Sequence, residues 1–176
     1  MGFLPWSQLT SLTLVGKGQR ECMEVLVNVP NLVYCELVSW GDLADYPDVR
    51  LPRLETLVLV HLELVGYPWD IDYLAPFTTP ALRRLQLPDT YLGLDPIGCL
   101  ASFVSRSACT IQELCITGQR TVPKTAYRRA FPTSAVSFNT KLVDWESDKA
   151  DRIRRDGRIS IAAFESSWNT RRPGQA

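Results

Sequence analysis

Apolar positions along the chain fall into a recurring hexad in which the first, fourth and sixth residues are hydrophobic. It occurs as Leu9-Thr-Ser-Leu12-Thr-Leu14, Leu32-Val-Tyr-Cys35-Glu-Leu37, Leu54-Glu-Thr-Leu57-Val-Leu59, Leu82-Arg-Arg-Leu85-Gln-Leu87 and Ile111-Gln-Glu-Leu114-Cys-Ile116. The leading residues are 23, 22, 28 and 29 positions apart. Within each hexad the fourth and sixth residues are two apart, the side-chain period of a β-strand, so they share one face while their neighbours share the other. Each hexad therefore predicts one short strand with an apolar inner face and a mixed outer face. Pro30, Pro52 and Pro80 each stand two residues before a leading Leu. Proline has no N–H to give a ladder and ends any preceding helix, so it marks the strand entrance.

A pattern L-x-x-L-x-L returning every 20–29 residues is the spacing of leucine-rich repeats, in which one strand per repeat stacks beside the next. The fold class expected is α/β, a leucine-rich-repeat solenoid with a short parallel sheet on one face and helices and loops on the other. The connecting segments carry the helix signals. Cys22, Val25, Leu26 and Val29 fall at i, i+3, i+4 and i+7 before Pro30, one face of a helix. Asp95-Pro96 reads as an N-cap followed by proline at the first helical position, with Ile97, Leu100, Ala101, Val104 and Ala108 as the buried stripe. Asp70 is placed to cap a shorter helix carrying Ile71, Leu74 and Ala75, and Pro123 to open one carrying Ala126, Tyr127, Ala130 and Phe131. Residues 40–52, rich in Asp, Gly and Pro, read as loop.

The repeat region is expected over residues 1–138, with a sixth hexad from Thr133 through Val136 and Phe138. Residues 139–168 are expected to form a further repeat or a C-terminal cap: a helix bearing Leu142, Trp145, Lys149, Ala150 and Ile153, then a hexad from Asp156 through Ile159 and Ile161. The tail 169–176, with Arg171-Arg172-Pro173-Gly174, is expected to be disordered. Because the first hexad follows so closely on Met1, nothing upstream is available to cover Leu12 and Leu14. The expectation is a fragment, or a divergent copy, of a longer protein.

Composition narrows the function classes. At 176 residues and 45% hydrophobic the chain has enough apolar side chains for one core. Lys and Arg (19) balance Asp and Glu (19), so no net field points to nucleic acid or an anionic membrane. The charge is uneven along the chain, acidic from Asp42 to Asp72 and basic at Arg152, Arg154, Arg155 and Arg158. Cys22, Cys35, Cys99, Cys109 and Cys115 are odd in number and include no C-x-x-C pair. Cysteine used as a small hydrophobe at a core position suits a reducing compartment, cytoplasm or nucleus. No apolar run is long enough for a membrane span.

Candidate chemistry is sparse. With His61 as its sole histidine, the chain offers no multi-histidine metal site, and the cysteine spacing supplies none. Gly16-Lys17-Gly18 lacks the phosphate-loop spacing, and capping accounts for Asp70 in the Asp70/Asp72 carboxylate pair. No cofactor, metal or enzymatic activity is expected; a hydrolase built on His61 and a cysteine is the least favoured reading. The outward strand positions are more informative. One column reads Ser11, Tyr34, Thr56, Arg84 and Glu113, the next Thr13, Glu36, Val58, Gln86 and Cys115. On strands about 4.8 Å apart these residues tile a concave surface suited to a protein partner, with Tyr34, Glu36, Arg84, Gln86 and Glu113 as contacts. Trp40, Tyr67, Trp69 and Tyr91 are either rim anchors or loop packing.

The phrases Leu-Pro-Trp-Ser-Gln-Leu-Thr-Ser-Leu-Thr-Leu, Pro-Asn-Leu-Val-Tyr-Cys-Glu-Leu, Leu-Pro-Arg-Leu-Glu-Thr-Leu-Val-Leu and Thr-Pro-Ala-Leu-Arg-Arg-Leu-Gln-Leu-Pro, with Tyr127-Arg-Arg-Ala-Phe-Pro132, resemble the repeat region of fungal F-box leucine-rich-repeat proteins. In that family an F-box docks on the Skp linker of a cullin-type ubiquitin ligase and the repeats capture substrate. The resemblance, over residues 4–138, implies substrate recognition for a ubiquitin ligase adaptor. No F-box is expected within these residues, so binding to the Skp linker is not carried over. The asparagine expected eight residues after each leading position is replaced by Lys17, Trp40, Leu62, Thr90 and Gln119. The alternative reading is a truncated structural remnant without a specific partner.

Overall fold

The computed structural model describes residues 6–16, 19–39, 48–61 and 72–139. Six strands form one sheet: β1 (Ser11–Gly16), β2 (Tyr34–Ser39), β4 (Thr56–His61), β6 (Arg84–Pro88), β7 (Glu113–Thr117) and β8 (Ala135–Asn139). Their order in space is their order in the chain, and every neighbouring pair is parallel. A parallel neighbour requires a crossover on one side of the sheet. Here the crossovers carry, in turn, helix α1 (Gln19–Leu26), strand β3 (Val49–Arg50), strand β5 (Phe77–Thr78), helix α2 (Pro96–Ser107) and helix α3 (Lys124–Ala130). The architecture is mixed α/β. Among the described residues, no helix is long and apolar enough to cross a membrane.

The hexads set the register. Leu12, Cys35, Leu57, Leu85, Leu114 and Val136 are aligned across the sheet, fourth position on fourth position. The aligned residues from Leu12 to Leu114 are buried, as are the sixth-position residues Leu14, Leu37, Leu59, Leu87 and Ile116. Val136 and Phe138 on the last described strand are half-buried against the same core. Shifting any strand by one residue would turn its apolar set outward, so the core holds the register.

The backbone repeats even where side chains do not. The carbonyl of Thr10 accepts from the N–H groups of Val33 and Tyr34, that of Val33 from Glu55 and Thr56, that of Glu55 from Arg83 and Arg84, and that of Arg83 from Gln112 and Glu113. The second residue of a hexad thus holds the entrance of the next strand through main-chain atoms alone. That position accordingly tolerates Thr, Val, Glu, Arg and Gln.

Four expectations about the crossovers need correction. Val49–Arg50 pairs in parallel with Phe77–Thr78 in a small second sheet, so the segment read as loop contains a strand. Val49, Leu51 and Phe77 are buried in the main core, and this apolar payload outweighs the local turn chemistry. No helix carries Leu74 and Ala75. Residues 73–76 form turns, with the Asp72 carboxylate accepting from the Leu74 N–H at 2.9 Å, and Pro76 stops further helical growth. On α2 the Asp95 cap is present, its carboxylate accepting from Gly98 N–H at 3.0 Å. Of the expected stripe, Leu100 is buried and Ile97 and Val104 pack half-buried against the core, but Ala101 and Ala108 are exposed and Pro96, Phe103 and Ser107 are buried in their place. Both stripes have helical spacing, and the one containing Phe103 wins because an aromatic ring removes far more apolar area from water than a methyl group. Finally, α1 ends at Leu26 and buries Met23 beside Cys22 and Leu26, leaving Val25 partly covered.

The expected helix from Leu142 to Ile153, the hexad at Asp156, the tail 169–176, and Trp40, Tyr67, Trp69, Asp70 and Ile71 lie outside the described residues.

Candidate functional site: the outer face of the sheet

The outward columns assemble as their spacing requires. Ser11, Tyr34, Thr56, Arg84, Glu113 and Ala135 form one row across the six strands; Thr13, Glu36, Val58, Gln86, Cys115 and Ser137 form the next. At about 4.8 Å per strand these rows run roughly 24 Å across the sheet. Their environments divide the face in two.

The half built by β2 and β4 is covered. Val38, Val58 and Val60 form an apolar cluster separate from the main core, with Tyr34 packed against it. Glu36, in the same region, retains only 3% exposure. Its carboxylate accepts from the Tyr34 hydroxyl at 3.1 Å, which keeps a buried charge hydrogen-bonded. Expected as a contact residue, Glu36 is instead an internal support for Tyr34.

The half built by β6, β7 and β8 is open. Arg84 and Glu113 side chains are 63% and 57% exposed and are joined by an Nε–Oε1 contact of 3.1 Å. Such an exposed pair adds little to stability, about 0–1 kcal/mol. Its two charges remain available to a ligand. Gln86 lies beside them, half-buried, and Ala135 and Ser137 continue the exposed surface. Of the five expected contacts, Arg84, Gln86 and Glu113 form one patch, Tyr34 is half-buried at the boundary, and Glu36 is withdrawn.

The rim changes as well. Tyr91 is buried, stacked on Tyr73 with ring centroids 3.9 Å apart, and its hydroxyl is 3.5 Å from the Val60 carbonyl. It secures the turn after β6 and is no anchor for a partner. His61 is the last residue of β4, its backbone aligned with Ser39.

The cysteines are all free. Burial pushes the Cys35 thiol far up from its ordinary value, with Cys22 and Glu36 adding to the effect. Cys99 is pushed up to about 11 by burial and by the neighbouring Asp72 carboxylate, and burial raises Cys109. These three are held as thiols, the opposite of an activated nucleophile. Among the described residues no group of three or more His, Cys, Asp or Glu side chains is assembled in a way that would hold a metal ion.

One site residue escaped sequence reasoning. Asp89, in the 3₁₀ turn after β6, is fully buried. Its carboxylate accepts from the Thr121 N–H at 2.6 Å, the Thr121 hydroxyl at 2.8 Å and the Tyr127 hydroxyl. Burial and this carboxylate together push the Tyr127 phenol well above its ordinary value. One side chain thereby ties the turn after β6 to the turn after β7 and to α3. An asparagine was expected eight residues after Leu82, where Thr90 stands; Asp89, one position earlier, bridges successive turns in its place. The available signal was the Pro88-Asp89-Thr90 triplet directly after a strand.

No family model matches the chain, and no curated protein or solved structure is significantly similar to it.

Proposed function

We propose that the chain is a leucine-rich-repeat solenoid whose outer sheet face recognises a protein partner, and that it serves as the substrate-recognition portion of an F-box-type ubiquitin ligase adaptor. The observation that carries the reading is the strictly sequential parallel stack of strands, with equivalent hexad positions in register from Leu12 to Val136. A scaffold of stacked repeats presents one column of side chains per outward position, and variation within the column gives specificity at little cost to the fold. The open patch of Arg84, Gln86 and Glu113 joins both charge signs with an amide, and Tyr34 adds an aromatic edge. Tyr and Arg are the residue types that most often dominate protein interfaces. The adaptor role rests on the resemblance of residues 4–138 to fungal F-box repeat regions. The reading is of a binding module in the cytoplasm or nucleus, without cofactor or catalysis.

The test is capture from a fungal cell extract on immobilised chain, compared with the Tyr34→Ala/Arg84→Ala variant and with Arg53→Gln, an exposed site outside the strand columns. A partner retained by wild type and Arg53→Gln but lost with the double variant supports the reading. An unaltered set of partners with a folded double variant refutes it.

A further inference from the structure

Phe138, in the last described strand, is surrounded by three cations. The guanidinium carbon of Arg120 is 5.4 Å from the ring centroid, the ammonium of Lys124 5.2 Å and the guanidinium carbon of Arg128 5.7 Å. All three charges therefore lie within a sphere of radius 5.7 Å about one ring centre. Lys124 and Arg128, four residues apart on α3, share a helix face, so these like charges repel one another. Contact with the ring face offsets part of this repulsion and holds the three groups in place.

Among the described residues none of the three is paired with a carboxylate. From Leu114 to Val143 the chain contains no Asp or Glu at all, while it carries Arg120, Lys124, Arg128, Arg129 and Lys141. The carboxylate of Asp89 is buried and accepts from Thr121 and Tyr127. Arg120 supplies a second, independent observation: its Nη1 is buried and has no hydrogen-bond partner among the described residues. An unpaired buried N–H donor is costly, and native structures retain one where something else completes it.

We propose that Arg120, Lys124 and Arg128 form a binding site for a compact phosphate dianion, independent of the outer sheet face. Two planar guanidinium forks and one ammonium match the oxygens of a tetrahedral oxyanion, and a doubly charged ligand relieves the repulsion better than a single carboxylate. The charges form a knot rather than a stripe, which suits one phosphate group rather than the backbone of a nucleic acid. The phosphate is carried either by a phosphorylated side chain of a partner or by a free small ion; the chemistry of recognition is shared.

The full chain is titrated by calorimetry with inorganic phosphate and, separately, with O-phospho-L-serine, and its melting temperature is followed against chloride at matched ionic strength. The expected result for phosphoserine is saturable binding that weakens from pH 7.5 to pH 5.5, because the second ionisation of a phosphate monoester lies at about pH 6. Tighter binding of phosphoserine identifies the ester as the ligand, tighter inorganic phosphate the free ion. Lys124→Met/Arg128→Met alters two exposed side chains and should weaken binding roughly tenfold or more, the loss expected for charge-assisted contacts. Arg120→Lys retains charge without the fork and should also weaken it. Arg53→Gln should bind as wild type. Equal stabilisation by chloride, or unchanged affinity in the Lys124/Arg128 variant, overturns the proposal. So does partition onto phosphoinositide-containing vesicles without binding of either soluble phosphate.

Discussion

Removing the Asp89 carboxylate tests how successive turns are held together. Asp89→Ala deletes the acceptor of three hydrogen bonds, with unequal consequences. Thr121 is exposed, so water can replace the acceptor for its N–H and hydroxyl. Tyr127 is fully buried, so its hydroxyl is left with no partner, a penalty of about 1–3 kcal/mol. Removing a buried charge recovers part of the desolvation it costs, while the charge-assisted bonds lost to Thr121 add to the deficit. The expected destabilisation is about 2–3 kcal/mol, a large share of a stability of about 5–15 kcal/mol. Asp89→Asn should cost about 1 kcal/mol, since an amide oxygen can accept from Thr121 while its NH₂ donates to the phenol oxygen. Tyr127→Phe, leaving the carboxylate with Thr121 alone, should cost about 1.5–3 kcal/mol. Urea denaturation followed by circular dichroism gives all three values. Tyr127→Phe in the Asp89→Ala background should cost far less than in wild type, giving a coupling of about 1–2 kcal/mol. A coupling below about 0.5 kcal/mol would mean that the two groups do not depend on one another and would refute the account.

Leu57, fully buried and aligned between Cys35 and Leu85, should cost about 2–5 kcal/mol when changed to Ala; a urea midpoint within error of wild type would contradict the register. Alkaline pH should weaken the fold through Cys35. Its folded-state pKa is raised, so its contribution is complete below the unfolded value of about 8.5 and declines above it, by about 1.4 kcal/mol per pH unit. Stability measured from pH 8 to pH 10.5 should fall more steeply for wild type than for Cys35→Ala, and parallel profiles would count against a buried thiol there.

Much of the fold was legible in sequence because strand period and hexad spacing act locally. Leu12, Leu57 and Leu114 face inward by alternation alone, and the pairing of equivalent positions follows from burying all of them at once. Pro52 and Pro80 marked strand entrances for reasons contained in their own rings. Asp95 capped α2 because its partner Gly98 is three residues away.

Other features depended on partners distant in sequence. Whether Phe103 or Ala101 faced the core was settled by what α2 packs against, since helical spacing permits either. Val49–Arg50 became a strand because Phe77–Thr78, 28 residues on, supplied its ladder. Glu36 and Gln86 occupy the same outward column, yet Glu36, aligned with Val58 of the outer valine cluster, is buried and Gln86 is half-open. Asp89 found Tyr127, and three cations found Phe138, only when the turns were stacked. Period and punctuation along the chain determined the six strands of the main sheet, their inner faces and their register. Tertiary packing decided which outward residues remain open, since solvent access and charge neighbours depend on residues from several strands and turns at once.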